Sequence, residues 1–88
     1  MTLYKYQLSN DLMLQKLEGS IALYNVFLGD TYFVENEFSL LLSSINEKEE
    51  SLHFNDLIKL ACQHNIEEAT FELWFEEAIN SQIFVKVP

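Results

Sequence analysis

The sequence predicts a single α+β domain in which a three-stranded antiparallel meander precedes three helices. Two observations predict this class. First, the segments before Val34 are short, and they either alternate between apolar and other residues or consist of β-branched and aromatic residues. Second, beyond Val34 the apolar residues recur at helical spacing. The two glycines, Gly19 and Gly29, both lie between predicted strands. A chain of 88 residues without repeats or a Gly/Ser/Pro-rich linker is expected to form one domain over residues 1–88.

The predicted strands cover residues 12–17, 21–25 and 31–34. In the first strand Leu12 and Leu14 alternate with other residue types, and Gly19 marks the turn that follows. The third strand, Thr31-Tyr32-Phe33-Val34, consists of residues that favour strands. Because the connections are short, sequential strands are expected to pair as an antiparallel meander, which leaves the third strand outermost.

Three helices are predicted after the strands. The first begins near Val34, has one apolar face (Phe38, Leu41, Leu42, Ile45), and ends before a charged break at 46–51. The second covers 55–64, with Asn55 as its N-cap. The third covers 67–81 and has a broad apolar arc: Phe71, Trp74, Phe75, Ala78, Ile79. Residues 83–87 are predicted either as a last strand or as a segment packed against the body.

Two short helices followed by a longer third give the outline of a winged-helix-like domain, a fold that commonly binds DNA. The charge argues against that function. The chain has 14 carboxylates, five lysines and no arginine, for a net charge of -9. The third helix would have to enter the major groove, yet no lysine or arginine lies between Lys59 and Lys86. Such a helix repels phosphates, so neither nucleic acid nor an anionic membrane surface is expected as a partner.

The sequence also predicts no catalytic residue, no metal site and no cofactor. Cys62, His64 and His53 are the only group that could carry chemistry. Residues two apart on a helix point to different sides, so Cys62 and His64 are not expected to act together. Cys62 is predicted to be a small buried residue. With a single cysteine, no apolar run of about 20 residues and no signal-peptide pattern in residues 1–10, the expected location is cytoplasmic.

The middle of the chain carries a pattern that resembles a known family. A turn glycine is followed by a strand that ends in Tyr24-Asn25. A short loop comes next, then Gly29-Asp30-Thr31, and after it a helix with paired leucines. This order resembles the PqqD-like peptide chaperones, in the branch associated with HPr-kinase-related proteins, over about residues 12–87. Two positions differ from that branch. Tyr32 lies where histidine is common, and Val26-Phe27-Leu28 is more apolar than the usual turn, which suggests that this loop packs or binds something.

The resemblance implies a non-catalytic recognition element in natural-product biosynthesis. Such a domain binds the leader of a ribosomally synthesised precursor peptide and presents it to a modifying enzyme. The leader is expected to add as a strand beside the third strand, in the groove between that strand and the third helix. The implied contact residues are Thr31, Tyr32, Phe33, Val34, Phe71, Trp74, Phe75 and Ala78. The third strand lacks the lysine or proline that protects a sheet edge, and the glutamates of the third helix favour a leader with lysine or arginine.

Other interpretations remain open at this point. Taken alone, Phe71, Phe75 and Ile79 favour the core, whereas Trp74 suits either the core or a binding groove. The edge at 31–34 could be covered by residues 3–6, or it could pair with a second copy in a homodimer. A different class of function is an acidic inhibitor or immunity-type protein that mimics nucleic acid and blocks a basic partner. A third is a structural subunit or dimer module with no separate ligand.

Overall fold

The computed structural model describes residues 4–48 and 50–87, which form two three-stranded antiparallel sheets and three helices. The predicted α+β class is confirmed. In chain order the strands are β1 (Lys5–Leu8), β2 (Leu12–Leu17), β3 (Ser20–Asn25), β4 (Thr31–Glu35), β5 (Leu52–His53) and β6 (Phe84–Val87). The helices are α1 (Asn36–Lys48), α2 (Phe54–Gln63) and α3 (Glu68–Asn80). No helix within the described ranges is long and apolar enough to cross a bilayer.

The first sheet is the predicted meander, with strand order β2-β3-β4. The turn between β2 and β3 is tight because Leu17 pairs directly with Ser20. Gly19 has a φ of +75° in this turn, a conformation that glycine adopts without steric cost. All three predicted strands are confirmed, with β3 beginning one residue earlier at Ser20 and β4 extending one residue further to Glu35.

The second sheet has the order β5-β1-β6 and was predicted only in part. Residues 83–87 contribute the strand β6, one of the two alternatives for this segment. Tyr6 pairs with Leu52 on one side and with Lys86 on the other. The N-terminal segment therefore does not cover β4, and that interpretation is wrong for Tyr4 to Tyr6. Leu3 lies outside the described residues.

The helix boundaries differ from the predictions in three places. Helix α1 continues to Lys48, so the break predicted at 46–51 begins later, and Lys48 lies where it complements the helix dipole. Helix α2 begins at Phe54 with His53 as its N-cap, because the pairing of β5 with β1 fixes where the helix starts. Helices α1 and α3 each have 13 residues and α2 has 10, so the expected longer third helix is wrong.

The core lies between the first sheet, the helices and the second sheet. Its centre is aromatic: Phe75 packs 5.4 Å from Phe54 and 5.1 Å from Phe84, measured between ring centroids. The prediction that Cys62 is buried is wrong, since this residue is exposed. Helix α2 buries Leu57 and Ala61, and the residue after Ala61 lies about 100° further round the helix, towards solvent.

Candidate functional site

Strand β4 forms an outer edge of the first sheet and pairs only with β3 among the described residues. At one end of this pair Asn25 N–H donates to the Asp30 carbonyl at 2.9 Å, and at the other Asn36 N–H donates to the Gly19 carbonyl at 3.4 Å. Hydrogen-bonded and non-hydrogen-bonded pairs alternate in an antiparallel ladder. Tyr32 and Val34 therefore bond to β3. The backbone groups of Thr31, Phe33 and Glu35 point to the open edge.

The edge of β4 lacks the protection that other outer strands carry. Lysine is a common device against unwanted strand pairing. Strand β2 includes Lys16, strand β6 includes Lys86, and β5 has only two residues. Strand β4 has neither lysine nor proline. Among the described outer strands it is thus the one best suited to accept another strand.

Helix α3 forms a second wall beside this edge. Between the two elements lies an open cavity of about 260 Å³. Its lining residues are Tyr32, Phe33, Val34, Trp74, Glu77, Ala78, Ser81 and Ile83. Val34 and Ala78 are buried and form its floor, whereas Trp74 and Tyr32 are only partly buried. The arrangement is a groove with an unpaired strand edge along one side and a mixed apolar and acidic helix face along the other.

Trp74 is held in place by aromatic neighbours from other elements. Its ring stacks on Phe38 of α1 at 4.8 Å and meets Phe84 of β6 edge-on at 6.0 Å, between centroids. A side chain fixed in this way loses little conformational entropy when a ligand packs against it. Trp74 therefore provides a preformed apolar wall for the groove.

The structure brings five of the eight predicted contact residues to this cavity: Tyr32, Phe33, Val34, Trp74 and Ala78. Thr31 lies on the same edge and is exposed. Phe71 and Phe75 do not line the cavity, since they are 0% and 5% exposed and pack in the core. They point inward because α3 packs this side against Phe54 of α2. For these two residues, the core interpretation is the one that fits the structure.

Three residues of the groove were not predicted: Glu77, Ser81 and Ile83. Glu77 and Ser81 follow Trp74 by three and seven residues, which places them on the same side of a helix. The spacing could have identified both once Trp74 was chosen. Ile83 lies beyond the helix, where the sequence carries no signal of its direction.

The groove is acidic on its helix side. Glu77 lines it, and α3 carries Glu68, Glu72 and Glu76 on its other sides, where they add to the negative field around the groove. In the part of the chain that the structure describes, the ion pair formed is Lys16 with Glu47, at 4.0 Å, and it does not involve α3. The α3 carboxylates are thus free to attract a cationic ligand.

Three larger cavities have a different setting. One of about 330 Å³ is lined mainly by residues 7–14 together with Ile45, Asn46 and Glu50, and one of about 600 Å³ lies between β1 and the start of α2. The third, of about 340 Å³, lies beside α2 and includes Lys48 and Lys59 in its lining. None of the three is lined by β4. Among the cavities of the described residues, the smaller groove is the one that combines an apolar wall with the lysine-free edge of β4, so it is the better candidate for a peptide.

No protein-family model, curated protein or solved structure matches this chain. The resemblance to PqqD-like chaperones is therefore a prediction from the sequence.

The polar residues considered for chemistry lie away from the groove. Ser44 Oγ and His64 Nε2 are 3.0 Å apart, a hydrogen bond between α1 and the end of α2 that the sequence did not predict. Cys62 is exposed on α2. Within residues 4–48 and 50–87, no group of three or more His, Cys, Asp or Glu side chains could hold a metal ion.

Proposed function

We propose that this domain is a non-catalytic peptide chaperone with a winged-helix-like arrangement. It captures the leader of a ribosomally synthesised precursor peptide by strand addition and presents it to a modifying enzyme. The observation that carries the proposal is the open edge of β4, which faces a groove whose other wall is α3. Strand addition needs free backbone groups for affinity and pockets for guest side chains for specificity. The unpaired edge of β4 supports the first requirement, and the cavity beside α3 supports the second.

The bound segment is an extended strand beside β4. Its backbone bonds to the N–H and C=O groups of Thr31, Phe33 and Glu35. Because side chains alternate along a strand, every second residue of the guest points towards α3. A cavity of about 260 Å³ lined by Trp74, Ala78 and Ile83 receives one large apolar side chain there. The expected guest therefore has a large apolar residue at a position whose side chain points towards α3.

The guest also carries lysine or arginine. Glu77 is within the groove, and a net charge of -9 attracts a cationic peptide from a distance. A cation near Glu77 fixes the register of the guest as well as its affinity, because charge complementarity disfavours other alignments.

Hydrogen exchange tests which backbone amides of β4 bond to the guest peptide. The ligand is a peptide selected from a random 12-residue phage library, or the leader of the precursor peptide encoded nearest to the gene. On binding, the amides of Thr31, Phe33 and Glu35 are expected to gain protection in NMR spectra. Tyr32 and Val34 serve as internal controls, since their amides already bond to β3. If no peptide binds, or if β2 or β6 gains the protection, the proposed function is wrong.

Glu77→Gln tests the acidic wall. The substitution is expected to weaken binding of a lysine-containing peptide by about 2–5-fold, the range for an exposed ion pair, as measured by fluorescence anisotropy. Glu72→Gln is the matched control, because at 100° per residue Glu72 lies about 160° from Trp74 around the helix. Equal losses in the two variants would mean that the whole acidic helix binds, as expected of an acidic inhibitor of a basic partner.

A further inference from the structure

The first sheet has an exposed apolar surface on the side that faces away from the helices. We define the outer patch as Met13, Tyr24 and Phe33 of the sheet together with Val26, Phe27 and Leu28 of the β3–β4 loop. Phe27 is 81% exposed, Phe33 65% and Met13 62%. Nothing in the groove described above accounts for the loop residues or Met13.

The outer patch is continuous across the strands. Met13 pairs with Tyr24, Tyr24 pairs with Thr31, and residues directly opposite each other share a face of the sheet. Phe33 is the diagonal neighbour of Tyr24 on that face. The positions between them are uncharged: Gln15, Ala22 and Thr31. Carboxylates occur only towards the ends of the sheet, as Asp11 and Asp30 at one end and Glu18 and Glu35 at the other.

The loop in the outer patch is ordered by a buried asparagine. Asn25 is 1% exposed, and its Oδ1 accepts hydrogen bonds from the N–H groups of Phe27 and Leu28, each at 2.9 Å. Its carbonyl accepts from Gly29 N–H at 2.8 Å, and Val26 N–H donates to the Asp11 carbonyl at 2.9 Å. Phe27 is thus presented to solvent on a preorganised loop, which reduces the entropy lost on association.

The area of the outer patch matches that of a protein interface. With aromatic side chains presenting roughly 150–250 Å² each, the exposed fractions of Tyr24, Phe27 and Phe33 amount to roughly 280–470 Å², and Met13, Val26 and Leu28 add to this area. The largest apolar patch on a typical monomer is about 300–600 Å², and a standard interface buries about 800 Å² per partner. The polar border and apolar centre also match the usual layout of an interface.

We infer that the outer patch is the interface with a second copy of this chain, packed face to face about a twofold axis. In such an interface each surface meets its own copy, so a charged surface would repel itself. A chain with a net charge of -9 can associate with itself best through an uncharged face, and the outer patch is one. The side chain of Phe33 lies on the face opposite those of Tyr32 and Val34, so the dimer covers that side chain and leaves the backbone edge of β4 accessible. The inference therefore does not depend on the proposed function, and the dimer has two grooves.

The test is the mass in solution. Sedimentation velocity between about 1 and 200 µM is expected to show a dimer of 20.6 kDa, twice the chain mass of 10.3 kDa. Met13→Lys and Phe27→Lys are expected to raise the dissociation constant at least tenfold. Leu73→Lys is the control, because Leu73 is 70% exposed on α3, outside the outer patch. Since both copies are acidic, raising the salt from about 50 to 500 mM is expected to strengthen the dimer by screening.

Circular dichroism identifies any variant that fails to fold, and all three substituted positions are exposed. A wild-type mass of 10.3 kDa over the whole range would overturn the inference. It would also be wrong if Leu73→Lys dissociated the dimer as strongly as Met13→Lys. Thr31→Pro removes a backbone N–H at the β4 edge and leaves the outer patch in place. Loss of the dimer in this variant alone would show that the copies pair through β4 instead.

Discussion

Replacement of Phe71 by alanine is expected to lower the free energy of unfolding by about 3–5 kcal/mol, the usual cost of removing a core phenylalanine. Phe71 is 0% exposed, and its ring lies 5.4 Å from that of Phe75 and 5.9 Å from that of Phe54, between centroids. A small domain has only about 5–15 kcal/mol of stability, so the variant will be close to unfolding. Urea denaturation followed by circular dichroism measures the change.

Leu73→Ala is the control for this prediction. Leu73 is on the same helix but is exposed, so its loss is expected to change stability by less than about 0.5 kcal/mol. If Phe71→Ala left stability unchanged and instead abolished peptide binding, Phe71 would belong to the groove. The comparison therefore separates the two roles that the sequence left open for this residue.

Phe33→Pro is expected to weaken peptide binding by about 10–100-fold without unfolding the domain. The Phe33 N–H points to the open edge of β4, so proline removes a donor that the guest needs and leaves the pairing with β3 intact. Loss of that hydrogen bond leaves a guest carbonyl without its partner, which costs about 1–3 kcal/mol. Titration of the selected peptide by calorimetry measures the loss, and thermal unfolding reports whether the fold survives.

Two further variants show whether the effect of Phe33→Pro comes from the lost backbone N–H or from the lost side chain. Phe33→Ala removes the same side chain and keeps the N–H, so its effect on affinity is expected to be several-fold smaller. Val34→Pro removes an N–H that bonds to β3, so it is expected to destabilise the sheet itself. An equal loss of affinity in Phe33→Ala and Phe33→Pro would mean that the side chain, and not the strand edge, binds the peptide.

The first sheet was predictable because each of its strands carries a local signal. Gly19 fixes one turn, and the β-branched and aromatic residues of β4 mark that strand. The second sheet was not predictable in the same way. Strand β5 has only two residues and β1 has four, so both depend on partners that are distant in sequence. Strands this short carry too few alternating positions to be identified from the sequence.

The location of the groove, between β4 and α3, was predictable from the sequence, but not every residue that lines it. Trp74 and Phe71 are three residues apart and lie on one side of α3, so periodicity cannot assign one to the groove and the other to the core. The packing of α2 decides it, since Phe54 covers Phe71 while Trp74 lies against Phe38 and the cavity. The elements packed around a helix determine which of its sides stays open, and the periodicity of the helix alone does not show this.

The pairing of β1 with β6 also determines how the groove is assembled. Lys5 pairs with Val87, so the second sheet closes a loop of nearly the whole described chain. Closing a loop of about 80 residues costs about 4 kcal/mol of chain entropy, which the core must repay. Ile83 lines the groove directly before β6, and its carbonyl accepts a hydrogen bond from Ser9 N–H at 2.9 Å. One side of the groove is thus tied to the opposite end of the chain and depends on the longest-range contacts in the fold.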